Sequence, residues 1–375
     1  MSFFLFFKQF VDLLYMQKWL DVVMVLLVLV MIPYQYRLVR PDLKAVLSTA
    51  DIIVAALAVL TCISYVKDVS QWLLFIKVMS GLLMYFMGRL YYERVLECAG
   101  VLATAAYCII YLNFFHRVYS FGGSLLGVTN AFGDFYSNDT EMAYAMVLGF
   151  IFIGMFARKS LFKIFTMVLV CPYMVFFSDA GIQMILLVAI VGVMFMYVLE
   201  VALNRKKLAM AGLVVIFACL LAVVAIVYLP LITSDSKSIW QLFNSRMLNV
   251  AHMETRYNEW REVFGVRRPE SVGQILLGLD FASGPKLTSL YLKIYYTLGI
   301  VGFTLILMLI VRTFIAAYKG EDRKSFYVTI MTAILTLGSG VAVNSMEILQ
   351  MSWFMMLFTG MVISAEHNAK SVLKM

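Results

Sequence analysis

The sequence predicts an all-α protein, a polytopic transmembrane helical bundle of about 11 spans (10–12), with one long external loop containing short helices. Three observations carry this. Hydrophobic residues make up 63% of the chain and charged residues 14%, with a mean hydropathy of +0.91; soluble domains carry about 25% charged residues. Apolar stretches recur at the length that crosses a bilayer, about 20 residues. The loops between them alternate between strongly basic and nearly uncharged.

Taken in order, the spans are expected near Trp19–Tyr36, Val46–Val66, Gln71–Leu90, Leu96–Phe115, Glu141–Ala157, Ser160–Phe177, Ile182–Leu203, Leu208–Leu231, Tyr291–Tyr318, Ser325–Val343 and Ile348–Ala365. Phe3 to Tyr15 is apolar but short, and Lys8 and Asp12 interrupt it. That pattern reads first as an interfacial helix, with a twelfth span as the alternative. The whole of residues 1–375 forms one membrane domain, and 233–290 is its large external loop. No internal repeat is evident.

Lysine and arginine in short loops set orientation. One set of alternating loops and the tail holds 17 of them, among them Arg37, Arg89, Arg158, Arg205 and Arg323, whereas the opposite short loops hold only Lys67 and Arg117. The first set is therefore expected in the cytoplasm. The C-terminus is expected to lie with it, and the long loop to face outward, into the periplasm if the cell is Gram-negative. The net charge of +8 follows from those cytoplasmic loops and does not imply nucleic-acid binding. All five cysteines fall in or beside apolar stretches, which argues against a disulfide-stapled external domain and against a zinc site. The N-terminal region lacks a small-residue cleavage site, so no cleavable signal is expected.

Chemistry is expected in the long loop, which carries Arg246, Arg256, Arg261, Arg267 and Arg268. Arginine grips phosphate oxygens through a planar fork that stays charged at any working pH. Glu254–Val266 reads as an amphipathic helix whose stripe is Tyr257, Trp260, Val263 and Phe264. Arg256, one turn before Trp260, lies at the edge of that stripe. Arg261, about 140° around the wheel, is more solvated. The bland alternative pairs Arg256 with Glu259 or a lipid phosphate. Arg246 either converges on the same anion or snorkels to headgroups. His252 could shuttle a proton or be plain polar surface. Asp280 is the best-placed carboxylate for general-base work, with a turn role as the alternative. Gly299 and Gly302 read as small residues permitting close helix packing.

The other external segment ends in Ser137-Asn-Asp-Thr-Glu141, a helix start whose Asn138 and Asp139 also suit sugar hydroxyls. Charges inside spans call for explanation, since each costs about 2.5–3.5 kcal/mol at a helix centre. Lys77 lies about one and a half turns inside its span, either snorkelling or facing substrate. Asp51 sits near an inner end, and Asp179 in a tight external turn. Lys77, Asn138, Asp139, Asp179 and Trp260 are the candidate substrate-contacting residues.

The order of these features resembles the O-antigen ligase/polymerase superfamily of bacterial polysaccharide assembly. The residues that carry the resemblance are Ser178-Asp-Ala-Gly181 before an apolar span, Arg256 with Trp260, Gly278-Leu-Asp280, and Thr288-Ser289 followed after nine residues by Gly299-Ile-Val-Gly302. Tyr136–Gly149 is similar to the family's Asn-containing entry into the fifth span. The ligases carry a His-Asn-like pair where this chain has Thr288-Ser289, and usually an arginine where it has Asp179. Both departures favour the polymerase branch, and no residue here inherits the ligase histidine's role.

The resemblance implies metal-independent transfer of glycan from an undecaprenyl-pyrophosphate-linked oligosaccharide to another lipid-linked repeat unit, without a cofactor. It also implies work in the lipid bilayer with a chain-length regulator protein as a possible partner. Arg256, helped by Arg246, would hold the pyrophosphate, and Asp280 would orient the acceptor hydroxyl. An O-antigen ligase, or a flippase for lipid-linked oligosaccharide, is the alternative. A transporter would distribute charge along several spans, whereas here the charges cluster outside them.

Overall fold

The computed structural model describes residues 1–13, 18–39, 47–67, 72–120, 139–176, 178, 181–232, 259, 263, 271–278, 287, 289–320, 322–341 and 349–372. All regular structure among them is helical: α1 Ser2–Leu13, α2 Lys18–Val39, α3 Thr49–Lys67, α4 Trp72–Leu90, α5 Tyr92–Glu97, α6 Ala99–Ser120, α7 Asp139–Phe156, α8 Leu161–Phe165, a π-helical turn Thr166–Val170, α9 Cys171–Phe176, α10 Gly181–Leu203, α11 Lys206–Ile232, α12 Val272–Leu277, α13 Leu290–Lys319, α14 Arg323–Ser339 and α15 Leu349–Val372. Thr49–Val66, Ala99–Tyr119, Gly181–Leu203 and Leu290–Lys319 are long and apolar enough to cross a membrane, and several shorter apolar helices accompany them. Their outer faces remain apolar, as at Val30, Ile52, Val188, Val214 and Leu307, all exposed. A helix hydrophobic all round has lipid as its proper solvent. The chain is a helical membrane protein.

The described residues of the basic loops lie at one end of the bundle, and there Asp51, Glu200 and Glu366 are each paired across two helices. Arg89 grips Asp51 through two bonds of 3.1 Å, and Tyr85 donates to the same carboxylate at 2.6 Å, tying α4 to α3. Arg312 pairs with Glu366 at 2.6 Å, and Arg323 with Glu200 at 3.0 Å. Asp51, read from sequence only as a charge near water, is thus a structural partner. Asp322 caps α14 by accepting from the backbone N–H groups of Lys324 and Ser325. Asp322→Ala should cost about 1 kcal/mol, the usual worth of an N-cap, seen as a small fall in thermal midpoint of the detergent-solubilised protein.

The tightest pair joins α4 to α15. Their contacts run in the same order along both helices: Trp353 Nε1 donates to Ser80 Oγ at 3.0 Å, and Ser364 Oγ to the Arg89 carbonyl at 3.1 Å. The two helices are therefore parallel. Glycine lets their backbones touch, since a Cβ on Gly88 would lie 2.0 Å from the Leu357 carbonyl oxygen, and one on Gly360 2.0 Å from that of Tyr85.

Two elements carry detail beyond the sequence reading. α1 buries Phe4, Leu5, Lys8 and Val11 against the bundle and leaves Phe3 exposed. Ser2 Oγ donates to Cys98 Sγ at the basic end, and Gln9 reaches the Leu102 carbonyl. Lys8, which argued for an interface, is only 2% exposed, its ammonium 4.8 Å from the centre of the Trp353 ring. That aromatic face accommodates a charge the sequence places near water. The expected span Ser160–Phe177 is observed as one apolar helix, Leu161–Phe176, with a π turn inside it, and Tyr111 bonds to Thr166 at the start of that turn at 2.9 Å.

Candidate functional site

The end opposite the basic loops is built differently. Among the described residues, its helix termini bury hydrogen-bonding and charged groups, several of them bonded between helices. Tyr144 in the second turn of α7 bonds to Thr336 of α14 at 3.0 Å, and Gln183 at the start of α10 donates to Ser339 at 3.4 Å. Arg117, in the last turn of α6, is 1% exposed; its Nε donates to the Tyr173 hydroxyl at 3.2 Å, and its guanidinium carbon lies 5.4 Å from that ring's centre. Glu141 and Ser178 are buried at the same end. The arrangement puts a guanidinium, phenols, an amide and hydroxyls within one layer of an apolar bundle, the inventory needed to hold a polar, anionic ligand against a membrane.

Sequence reasoning missed Arg117, Tyr144 and Gln183 as members of this layer. Arg117 was counted only as a short-loop charge. Its signal was its isolation, as one of only two cations in the short loops of the weakly charged side.

Of the residues singled out from sequence, Arg246, Arg256, Trp260, Asp280, Asn138 and Asp179 lie outside the described residues. Asp139 is the first residue of α7, with its side chain outside the description. Lys77 is partly buried in α4, and no ion pair joins it to another described residue. Its neighbour Val78 lines a partly open cavity of about 80 Å³ between α3, α4, α13, α14 and α15. The wall is apolar except for Lys293 and several threonines; Thr61, Thr297 and Thr313 bond to their own helices.

Several described residues of the long loop are buried or packed on the bundle. Val263, a member of the expected apolar stripe, is 0% exposed and packs with Leu287 against Leu292 and Tyr296 of α13. Glu259, one turn earlier, is 6% exposed. Further on, the capping box of Ser271 and Gln274 starts α12, which runs back against α13.

The junction of α12 and α13 is a backbone-to-backbone joint. α13 breaks at Gly299, whose φ of 66° and ψ of −167° only glycine adopts readily. A Cβ there would lie 2.3 Å from the Leu276 carbonyl oxygen, and one on Gly278 (φ 77°) 2.4 Å from that of Thr297. The Thr297 carbonyl is bonded instead by Ser64 Oγ of α3 at 2.5 Å, which satisfies a backbone group at the break. Gly299 is therefore a helix break, and more than the packing glycine read from sequence. The joint sets Gly278 beside Gly299, two positions that the sequence separates by the stretch holding Asp280.

No family model matches this sequence, and no curated protein matches it.

Proposed function

We propose that the protein is a polysaccharide polymerase of the O-antigen or capsule type, transferring an undecaprenyl-pyrophosphate-linked glycan onto another lipid-linked repeat unit at the outer face of a bacterial inner membrane. The observation that carries the reading is the burial of Val263 on α13. It supports an amphipathic segment laid on the bundle mouth, and helical spacing then brings Arg256 to the edge of that contact. The lipopolysaccharide or capsule pathway, like the resemblance itself, is part of this proposal.

The excess of positive charge in one set of loops supports a cytoplasmic basic end and a periplasmic segment 233–290. On this topology eleven helical passes run from α2 to α15, with α8, the π turn and α9 counted as one. α1 begins at the basic end and, at 12 residues, spans about 18 Å, short of a full crossing.

In the reaction the bond between the donor's anomeric carbon and the pyrophosphate oxygen breaks. An acceptor hydroxyl oxygen forms the new bond to that carbon, its proton passing to Asp280 or another carboxylate. Undecaprenyl pyrophosphate leaves with added negative charge, which Arg256 and Arg246 stabilise as preorganised donors. Lys77, Asn138, Asp139, Asp179 and Trp260 serve the glycan and lipid on either side.

In cells whose only copy is Arg256→Ala, surface polysaccharide should shrink from long chains to single repeat units at unchanged protein level. Arg256→Lys, which keeps the charge and loses the fork, should restore part of the chain length. Intact polymer in Arg256→Ala cells would overturn the assignment. Loss of even single units would point to a flippase, and polymer stranded on its lipid carrier to a ligase.

A further inference from the structure

At the basic end, Arg89, Arg312 and Arg323 each meet a carboxylate. A second set of cations at that end does not. Arg158, Lys159 and Lys163 follow the end of α7, and Lys324 lies in the first turn of α14. Among the described residues, none of the four has a carboxylate within ion-pair distance.

Packing gathers these cations around one helical turn. Lys163 Nζ donates to the carbonyls of Gly154 at 2.7 Å and Ala157 at 3.2 Å, capping the end of α7 where the helix dipole favours a positive charge. Lys324 Nζ lies 4.7 Å from the centre of the Phe156 ring in that same turn. Lys324 and Lys159 are near enough to Lys163 for their charges to repel it. Asp322 precedes Lys324, but its carboxylate is engaged by the backbone N–H groups of Lys324 and Ser325 and by the Ser325 hydroxyl. Like charges held this close, with Lys163 and Lys324 half-buried, call for an anion between them.

Beside the cations the surface is apolar. Leu161, Phe162, Ile164 and Phe165 are all exposed, Leu161 at 85%. The ridge is held in place: the Phe162 ring stacks on Tyr111 at 5.1 Å and lies 5.2 Å from the ring of Tyr107, both on α6. A lipid-facing ridge that begins at unneutralised cations matches the two halves of an anionic amphiphile.

We propose that the α7–α8 junction and the start of α14 form a binding site for an anionic phospholipid of the surrounding bilayer. Arg158, Lys159, Lys163 and Lys324 hold its phosphate, and its acyl chains lie along Leu161, Phe162 and Phe165. The ridge is what selects a lipid, since a soluble anion would gain nothing from it. The lipid relieves the repulsion between Lys163 and Lys324 and so clamps α8 to α14. The site requires only a helical membrane protein and does not depend on the polymerase reading.

The test uses the full chain in nanodiscs of phosphatidylcholine containing phosphatidylglycerol at a small known mole fraction. A benzophenone amino acid replaces exposed Leu161 or, in a second sample, exposed Leu208, which follows Arg205, Lys206 and Lys207. A cation near the membrane surface favours an anionic lipid by about fivefold. Adducts with phosphatidylglycerol at Leu161 should therefore exceed its mole fraction by at least about tenfold, and should be several times more enriched than those at Leu208. Arg158→Gln with Lys159→Gln, two exposed positions, should cut the enrichment at Leu161 several-fold. Lys324→Gln should do the same and Lys324→Arg should not. Arg205→Gln with Lys207→Gln, which removes as much charge from another exposed loop, should leave it intact. Phosphatidylglycerol, unlike phosphatidylcholine, should also raise the thermal midpoint of the detergent-solubilised protein. Equal enrichment at Leu161 and Leu208 would reduce the effect to the general attraction of basic loops and overturn the site. So would adducts in proportion to mole fraction. Loss of enrichment on adding inorganic phosphate at constant ionic strength would mark a soluble-anion site and overturn the lipid.

Discussion

Gly360→Leu should leave little folded protein in the membrane, and Gly360→Ala should already lower the thermal midpoint by several degrees. At this position α15 approaches α4 backbone to backbone, so a Cβ meets the Tyr85 carbonyl oxygen at 2.0 Å and the Arg89 amide nitrogen at 3.0 Å. No rotamer relieves such a contact, and the helices must separate. Overpacking of this kind costs roughly 1–3 kcal/mol and sometimes more. It also loosens Trp353–Ser80 and Ser364–Arg89 along the same seam. Gly88→Ala should behave alike. The double Ala variant should cost less than the two single changes added together, because one separation relieves both contacts. Gly100→Ala is the control: nothing lies within 4 Å of a Cβ there, and alanine favours the helix by up to about 1 kcal/mol. Thermal midpoints of the detergent-solubilised variants decide the matter; an unchanged Gly360→Ala midpoint would contradict the parallel seam.

Gly299→Ala should be the second severe lesion, with a different signature. Its backbone conformation costs a non-glycine residue on the order of 1–3 kcal/mol. In addition, the new methyl group would strike the Leu276 carbonyl. The bundle below the break can survive this, because its contacts lie elsewhere, but the α12 joint cannot. Protease sensitivity within 271–278 should therefore rise more than the thermal midpoint falls, and, on the proposed polymerase function, polymer length should collapse with it. Gly273→Ala, in the same short helix with only Ser271 Oγ at 3.9 Å, should leave all three unchanged. If both substitutions are equally mild, the joint does not hold the segment.

Helix placement was legible because lipid imposes a simple pattern. The expected Ile182–Leu203 is observed as Gly181–Leu203, and Tyr291–Tyr318 as Leu290–Lys319. The alternation of basic loops also matches the single end at which Arg89, Arg312 and Arg323 find their carboxylates. The irregularities were not legible, because their causes are distant in sequence. Lys8 was read as interfacial since the Trp353 ring beneath it cannot be inferred from its own helix. Tyr111, which bonds to Thr166 where the π turn begins, lies 55 residues away. Gly299 looks like any small residue in a span until α12 arrives beside it. In the candidate site, the arginines of the long loop stand out by composition alone. Arg117 did not, because its importance comes from burial, and burial is a property of the assembled bundle.

The seam between α4 and α15 also bears on how the protein is made. Trp353 and Ser80 are 273 residues apart, and Ser364 and Arg89 are 275 apart. α4 is made well before α15, so the groove at Gly88 waits for a helix that follows much later in the chain, and Lys8 has no Trp353 ring to lie against until the same moment. Contacts of such long range come late in assembly. The seam thus stays open from the synthesis of α4 until that of α15: a ribosome that stalls between the two leaves an uncovered glycine face on α4 that quality-control proteases can tell from a closed seam.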